Sequence, residues 1–366
     1  MSVRMRLRDE EADIIEFFRQ TGALPDQNVI QSDSSVLNLH NKSLEIKSRY
    51  KGAITELDQT REMLSFALMI NEKIEKSKNY RHRFTKKKRF DSESVAFGVL
   101  GDWHVDERIE PETLNGKNEY NPEIADKRIS NIFPNLLYLV DKERTATEIR
   151  TLVLSLLGDF ISGYIHPELI ENNTMSPLEA IMFVFERVRC GIDFLLENGE
   201  FEQIIVCCAY GNHARLSAKP KISTGYKNNL EWMMYHLLAN CYIHEDRIDF
   251  IIPNGNFGYI DLYDKYRIRV HHGDLINYSN SFAGANANVQ KAILQWEQYE
   301  DTKIFLDVFG HHHGRYDGGN YVISGTLAGY NCYARSIKAK YESPSQEFFL
   351  VERDHGKTTV APIFVE

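Results

Sequence analysis

The chain has 366 residues, 43% of them hydrophobic, with five Cys and a formal net charge of −9. That length suits one large α/β core with an added module as well as two equal halves, and no apolar run reaches the roughly 20 residues of a membrane span. Residues 1–10 carry charges without an apolar core, which reads against a signal peptide. The absence of a C-x-x-C pair and the adjacent Cys207 and Cys208 in an apolar run read as reduced thiols of a soluble, cytoplasmic protein.

The charge is uneven along the chain. Residues 1–90 hold 18 Lys+Arg against 13 Asp+Glu, leaving 25 against 39 for the remainder, an asymmetry that points to different partners for the two parts. In the first part Ile14, Ile15, Phe17 and Phe18 fit a short helix over 9–20, and 21–35 reads as a loop. A longer helical pattern over 43–78 repeats Ile46, Tyr50, Ile54, Leu57, Met63 and Leu64. It suits a coiled coil or bundle, and hence a homo-oligomer contact, as well as a helix lying on the following domain. Then comes the strip Tyr80, Arg81, His82, Arg83, Phe84, Thr85, Lys86, Lys87, Lys88, Arg89, Phe90. Cations interleaved with aromatics suit phosphate contact and base stacking; a solvated linker is the other reading.

After this helical module (1–90) the expected domain, 91–366, is marked by apolar runs that stop at polar, ligand-type residues. Residues 95–101 stop at Asp102, Trp103, His104, and 151–157 at Gly158, Asp159. Residues 204–210 stop at Gly211, Asn212, His213, and 268–270 at His271, His272, Gly273, Asp274. The last run, 304–309, stops at Gly310, His311, His312, His313, Gly314, where alternation aims His311 and His313 one way and His312 the other. A buried strand delivering Gly and then a carboxylate, amide or imidazole is how α/β sheets build sites at strand carboxyl ends.

Between these runs, Asn115 to Pro122 form a polar loop expected to hang over the first ligand pair, followed by a helix over 123–140. Ser162, Tyr164 and His166 are candidates to face the cleft, with a helix-start role for Ser162 as the alternative. Ser176 and Glu179 match a capping box before a helix ending at Asn198 and Gly199. Residues 230–239 read as a further helix in which Trp232, Tyr235 and His236 pack. The runs 321–323, 348–351 and 359–365 read as strands completing a second sheet.

The ordered set Asp-x-His, Gly-Asp, Gly-Asn-His, His, Gly-His-x-His resembles the calcineurin-like metallophosphoesterase superfamily over roughly residues 95–325. The resemblance implies a four-layer αββα sandwich and a two-metal phosphoester hydrolase. It places Asp102, His104 and His313 on one metal, Asn212, His272 and His311 on the second, and Asp159 between them. His272 is preferred to His271 because it directly precedes Gly273. His213 would be the outer-sphere acid at the leaving oxygen. The family usually follows Gly-Asn-His with Asp or Glu; here Ala214 follows, so either another carboxylate orients His213 or it is a weaker acid. Arg215 and Lys219 are candidate phosphate contacts, Arg215 also near the chemistry.

Two ions about 3.5–4 Å apart lower a bound water's pKa toward about 7, giving hydroxide for in-line attack. The mixed ligand set suits Mn, Fe, Zn or Ni, and Mn²⁺ is the expectation. The ligand set is similar to the DNA-repair nuclease branch and to phage-encoded relatives, so with the strip at Lys86, Lys87, Lys88 and Arg89 the function expected is a nuclease with DNA as partner. A phosphomonoesterase or phosphoprotein phosphatase, with Arg215 clamping a terminal phosphate, and a weakly hydrolytic binding scaffold are the alternatives.

Overall fold

The computed structural model describes residues 42, 61–70, 92–276 and 282–366. The chain divides into two compact units, Met1–Tyr80 and Arg81–Glu366. In the first, residues 61–70 are helical. The buried stripe there is Phe66 and Ile70, one turn apart, while Met63 and Leu64 of the expected apolar stripe are exposed. The remaining expectations for residues 1–90, including the helix over 9–20 and the strip containing Lys86, Lys87, Lys88 and Arg89, lie outside the described residues.

The second unit is mixed α/β with two sheets. Strands β1 (Glu93–Leu100), β2 (Glu148–Leu156), β3 (Gln203–Cys208) and β4 (Ile248–Ile251) run parallel, in that order. They are separated by helices α1 (Pro122–Glu143), α2 (Pro167–Asn172), α3 (Pro177–Asn198) and α4 (Leu230–Cys241). The second sheet is built from β5 (Gly258–Leu262), β6 (Tyr266–Val270), β7 (Ile304–Phe309), β8 (Tyr316–Asp317) and β9 (Tyr321–Ile323), in the order β5-β6-β7-β9-β8. Helix α5 (Phe282–Glu297) precedes β7.

Strand β1 is apolar on both faces because both are covered. Val95, Phe97 and Val99 of β1 enter a core shared with Ile260, Ile268, Val270, Leu306 and Val308 of the other sheet. On the opposite face of β1, a Cβ on Gly98 would lie 2.6 Å from Leu136 of α1. Val289 and Ile293 of α5 pack with Phe309, Tyr321 and Ile323. Ser176 and Glu179 form the capping box at α3, and Gly199 is its C-cap.

One strand expectation is corrected. Strands β10 (Ser345–Glu352) and β11 (Gly356–Phe364), expected in the second sheet, join the first in the order β11-β10-β1. Strand β10 pairs antiparallel with β1, Phe349 opposite Phe97, and the two rings stack 4.4 Å apart. Periodicity marks these segments as strands, but the free edge of β1 is created only by folding.

Candidate metal centre

Five strand ends deliver the expected ligands to one place. Asp102, His104 and His313 form one group whose ligand atoms all lie within 4.8 Å of one another, and Asp159, His272 and His311 form a second by the same measure. The groups are joined directly: the His104 amide donates to the Asp159 carbonyl at 3.2 Å, and the His311 amide donates to Asp102 Oδ2 at 2.8 Å.

Each carboxylate is held at one oxygen by a backbone amide and turns the other toward the imidazoles. Asp102 Oδ2 accepts the His311 amide, and Asp159 Oδ1 accepts the His213 amide at 2.8 Å. Asp102 Oδ1, buried, has no hydrogen-bond partner among the described residues, and Asp159 Oδ2, also buried, meets imidazole alone. Both atoms face imidazole nitrogens: His313 Nε2 is 3.7 Å from Asp102 Oδ1, and His272 Nε2 is 2.9 Å from Asp159 Oδ2. Imidazole nitrogens also face each other, His104 Nε2 and His313 Nε2 at 3.2 Å, and His272 Nε2 and His311 Nδ1 at 3.1 Å. Such nitrogens can sit so close only around a proton or a cation, and an N/O donor set of this kind fits a divalent transition metal. Asn212 joins the second group, its Oδ1 3.1 Å from His272 Nε2.

Outer contacts set the tautomers. His272 Nδ1 is 2.7 Å from the Leu157 carbonyl, so that nitrogen donates and Nε2 presents its lone pair inward. Burial, reinforced by neighbouring His213 and His313, holds His104 well below the ordinary imidazole range, and burial with His311 pushes His313 down to about 3. Both are therefore neutral, as ligation requires. Burial also acts to lower His272, but Asp159 outweighs it and raises it to about 10, so metal and proton compete for that lone pair. Burial pushes Asp102 well up.

The backbone is strained where the ligands sit. Asp102, His104, Asp159, His311 and His313 all have left-handed φ, between 46° and 66°, at about 1–3 kcal/mol each. Gly158, at φ 82°, is needed because a Cβ there would lie 2.1 Å from Gly211 N. The turns carrying Asp159 and Asn212 thus touch.

His271 turns away from the groups. Its ring stacks on Phe309 at 4.8 Å, and its Nε2 is 3.5 Å from Asp307, which pairs with the buried Arg269. His213 lies beside the first group, its ring 4.9 Å from that of His104. Among the described residues no carboxylate is hydrogen-bonded to its Nδ1. The Ser162 carbonyl accepts from it at 2.8 Å, while Ser162 Oγ is 3.1 Å from His104 Nδ1. Asp106 supports this turn by accepting the Ser162 and Gly163 amides at 2.6 and 3.1 Å.

Of the other candidates, Arg215 spends Nη1 and Nε on the Asn212 and Ser217 carbonyls at 2.8 and 3.2 Å, and Lys219 is exposed. Tyr164 is exposed and the His166 ring lies 6.5 Å from that of His213. Ser162 does not start a helix; His166 is the N-cap of α2. The loop leaving Asp102 is tied down: the Asn118 amide donates to the Ala328 and Tyr330 carbonyls, both at 2.8 Å, and Tyr120 Oη to the Trp103 carbonyl at 2.6 Å.

Sequence reasoning missed Asp106 and Glu231. Fully buried Glu231 accepts the Phe160 amide at 2.8 Å and the Gly211 amide at 2.7 Å, clipping the two ligand turns together. Neither residue follows a strand end, so only the Asp106 spacing after Asp102 was a signal.

No protein-family model and no curated protein matches the chain. Among solved structures, Vps29 from Chaetomium thermophilum aligns over 73% of this chain and 96% of its own length, at 10% identity and TM-score 0.30. A hypothetical protein from Thermus thermophilus aligns over 74% of this chain and 97% of its own, at 9% identity and TM-score 0.23. Likenesses of this size carry no argument about chemistry, which rests on the two Asp/His groups. No described helix is long and apolar enough to cross a membrane.

Proposed function

We propose that this chain is a two-metal phosphoester hydrolase of the calcineurin-like type, built on a four-layer αββα sandwich, and that it cleaves DNA phosphodiesters. The observation that carries the reading is the convergence of Asp102, His104 and His313 beside Asp159, His272 and His311, with a buried carboxylate oxygen in each group turned toward imidazole nitrogens. In the proposal Asn212 completes the second set and Asp159 serves both. Two divalent cations there, Mn²⁺ first and Fe, Zn or Ni as alternatives, would supply Lewis acidity and a water of lowered pKa.

The protein's own part is positioning and proton transfer. His213, fixed through Nδ1 by the Ser162 carbonyl, would present Nε2 as the proton donor to the departing oxygen. A carbonyl partner orients the ring without the charge that a carboxylate would lend to the imidazolium. Arg215, held by two carbonyls, keeps Nη2 for a phosphoryl oxygen, which also favours the second reading, a phosphomonoesterase or phosphoprotein phosphatase. The strip from Arg81 to Arg89 supports DNA by charge, since a polyanion approaching the acidic catalytic part needs a cationic track.

The test is purified protein with Mn²⁺ on single- and double-stranded DNA, RNA, a phosphomonoester and a chromogenic phosphodiester. Turnover of DNA and the diester is expected. Turnover of the monoester alone would transfer the assignment to the phosphatase reading, and none at all with metal bound would leave a binding scaffold.

A further inference from the structure

Residues 330–341 are chemically unlike the acidic part of the chain that contains them. They carry Tyr330, Tyr333 and Tyr341 with Arg335, Lys338 and Lys340, and no Asp or Glu, although residues 91–366 hold 39 acids against 25 cations. The side chains face outward: Tyr333 is 69% exposed, Tyr341 49%, and the three cations are exposed. Lys340 has Glu342 at 3.8 Å with its own side chain 85% exposed, a pairing too weak to neutralise it.

The residues flanking the segment are tied to Asp102 on one side and to the backbone just after His313 on the other. At the start, Thr326 Oγ1 and the Leu327 amide donate to the Asp102 carbonyl at 2.8 and 3.1 Å. At the end, Glu342 accepts the amide of Arg315, two residues after His313, at 2.9 Å. Between them the chain is braced. Asn331 caps helix α6 (Cys332–Ser336) through the Ala334 amide and donates to Glu107 at 2.9 Å. Arg335 Nη1 donates to the Thr113 carbonyl at 2.9 Å. The rings of Tyr330 and Tyr341 lie 5.6 Å apart.

We propose that residues 330–341 form a track that binds a single nucleic-acid strand and leads it to the Asp102–His104–His313 group, Tyr333 and Tyr341 stacking bases and Lys338, Lys340 and Arg335 meeting phosphates. An exposed ring can stack only on a base whose face is uncovered, which a strand offers and a duplex does not. Rigid bracing lowers the entropy lost on binding. The track deepens the nuclease reading, on which its role in substrate delivery rests, but its binding can be measured without turnover.

The experiment is fluorescence anisotropy of the full chain with Mn²⁺ and a cleavage-resistant phosphorothioate oligothymidylate. Tyr333→Ala should weaken binding roughly 5- to 150-fold, from about 1–3 kcal/mol per stacked base, and Tyr333→Phe should restore it. Lys338→Gln with Lys340→Gln should flatten the dependence of log affinity on log salt by roughly 1.4, at about 0.7 per single-strand contact. Affinity and slope unchanged in these variants would overturn the track, even if the wild type hydrolyses a chromogenic diester. Equal loss of duplex binding in Tyr333→Ala would overturn its single-strand character. A wild type that binds the strand through Tyr333 yet hydrolyses no diester would refute the hydrolase reading and leave the track standing.

Discussion

Replacing Glu231 by Gln keeps the side chain's size while removing one of its two acceptors. Glu231 is buried at 0% exposure and receives the amides of Phe160, next to Asp159, and Gly211, next to Asn212, at 2.8 and 2.7 Å. In Gln one atom still accepts, but the amide nitrogen meets a backbone N–H, donor against donor. A lost bond to a charged group and a buried N–H left unpaired each cost about 1–3 kcal/mol. Part is offset because burial, with the charge of Asp159 adding to it, pushes the Glu231 carboxyl up to about 7, so the neutral amide escapes a desolvation penalty. A net loss of about 2 kcal/mol corresponds to a melting temperature roughly 4–8 °C lower. Because the clip sets the spacing of two ligand turns, Mn²⁺ affinity should also fall roughly 10- to 100-fold. Thermal unfolding by circular dichroism and calorimetric titration with Mn²⁺ read the two effects. A melting temperature and Mn²⁺ affinity both equal to wild type would refute the clip.

Asp159→Ala should lose bound Mn²⁺ and all turnover, because the second group loses its carboxylate; elemental analysis showing full metal content with full activity would sink the two-metal mechanism. His213→Ala should keep its metal and slow turnover roughly 10²- to 10⁴-fold, and Asp106→Asn, acting through the Ser162 turn, should lower turnover less and shift its pH profile. Burial, against one bond from Asn331, pushes the Glu107 carboxyl from 4.5 up to about 7, so in that window the folded state holds the proton that the unfolded state has lost and stability falls as pH rises. Urea unfolding across pH should show this slope flattened in Glu107→Gln, and an identical curve would discard the assignment. Ala at Lys86, Lys87, Lys88 and Arg89 should weaken DNA binding and flatten its salt dependence by a few units, whereas unchanged affinity and slope would reduce the strip to a linker.

The local signals were legible because they are covalent neighbours. Asp102 and His104, or His311 and His313, leave the end of one strand two residues apart, and a run such as Val95 to Leu100 announces a strand buried on both faces. The capping box at Ser176 and Glu179 was legible for the same reason: its bonds span three residues.

What lay beyond reading is what separate segments do to one another. Whether β10 and β11 extend the first sheet or the second depends on which edge is free once β1 has paired with β2, and sequence periodicity holds no information about edges. His271 and His272 are adjacent and chemically identical; strand alternation decides only that they diverge, and the aromatic packing of Phe309 and the placement of Asp159 decide which one turns inward. The partner of His213 is a main-chain carbonyl at Ser162, and carbonyls carry no residue signature. The sequence by itself determined the ligand inventory and the strands that bear it. Only the tertiary structure decided which oxygens face the imidazoles and how the ligand turns are clipped, because those follow from long-range hydrogen bonds between segments tens of residues apart.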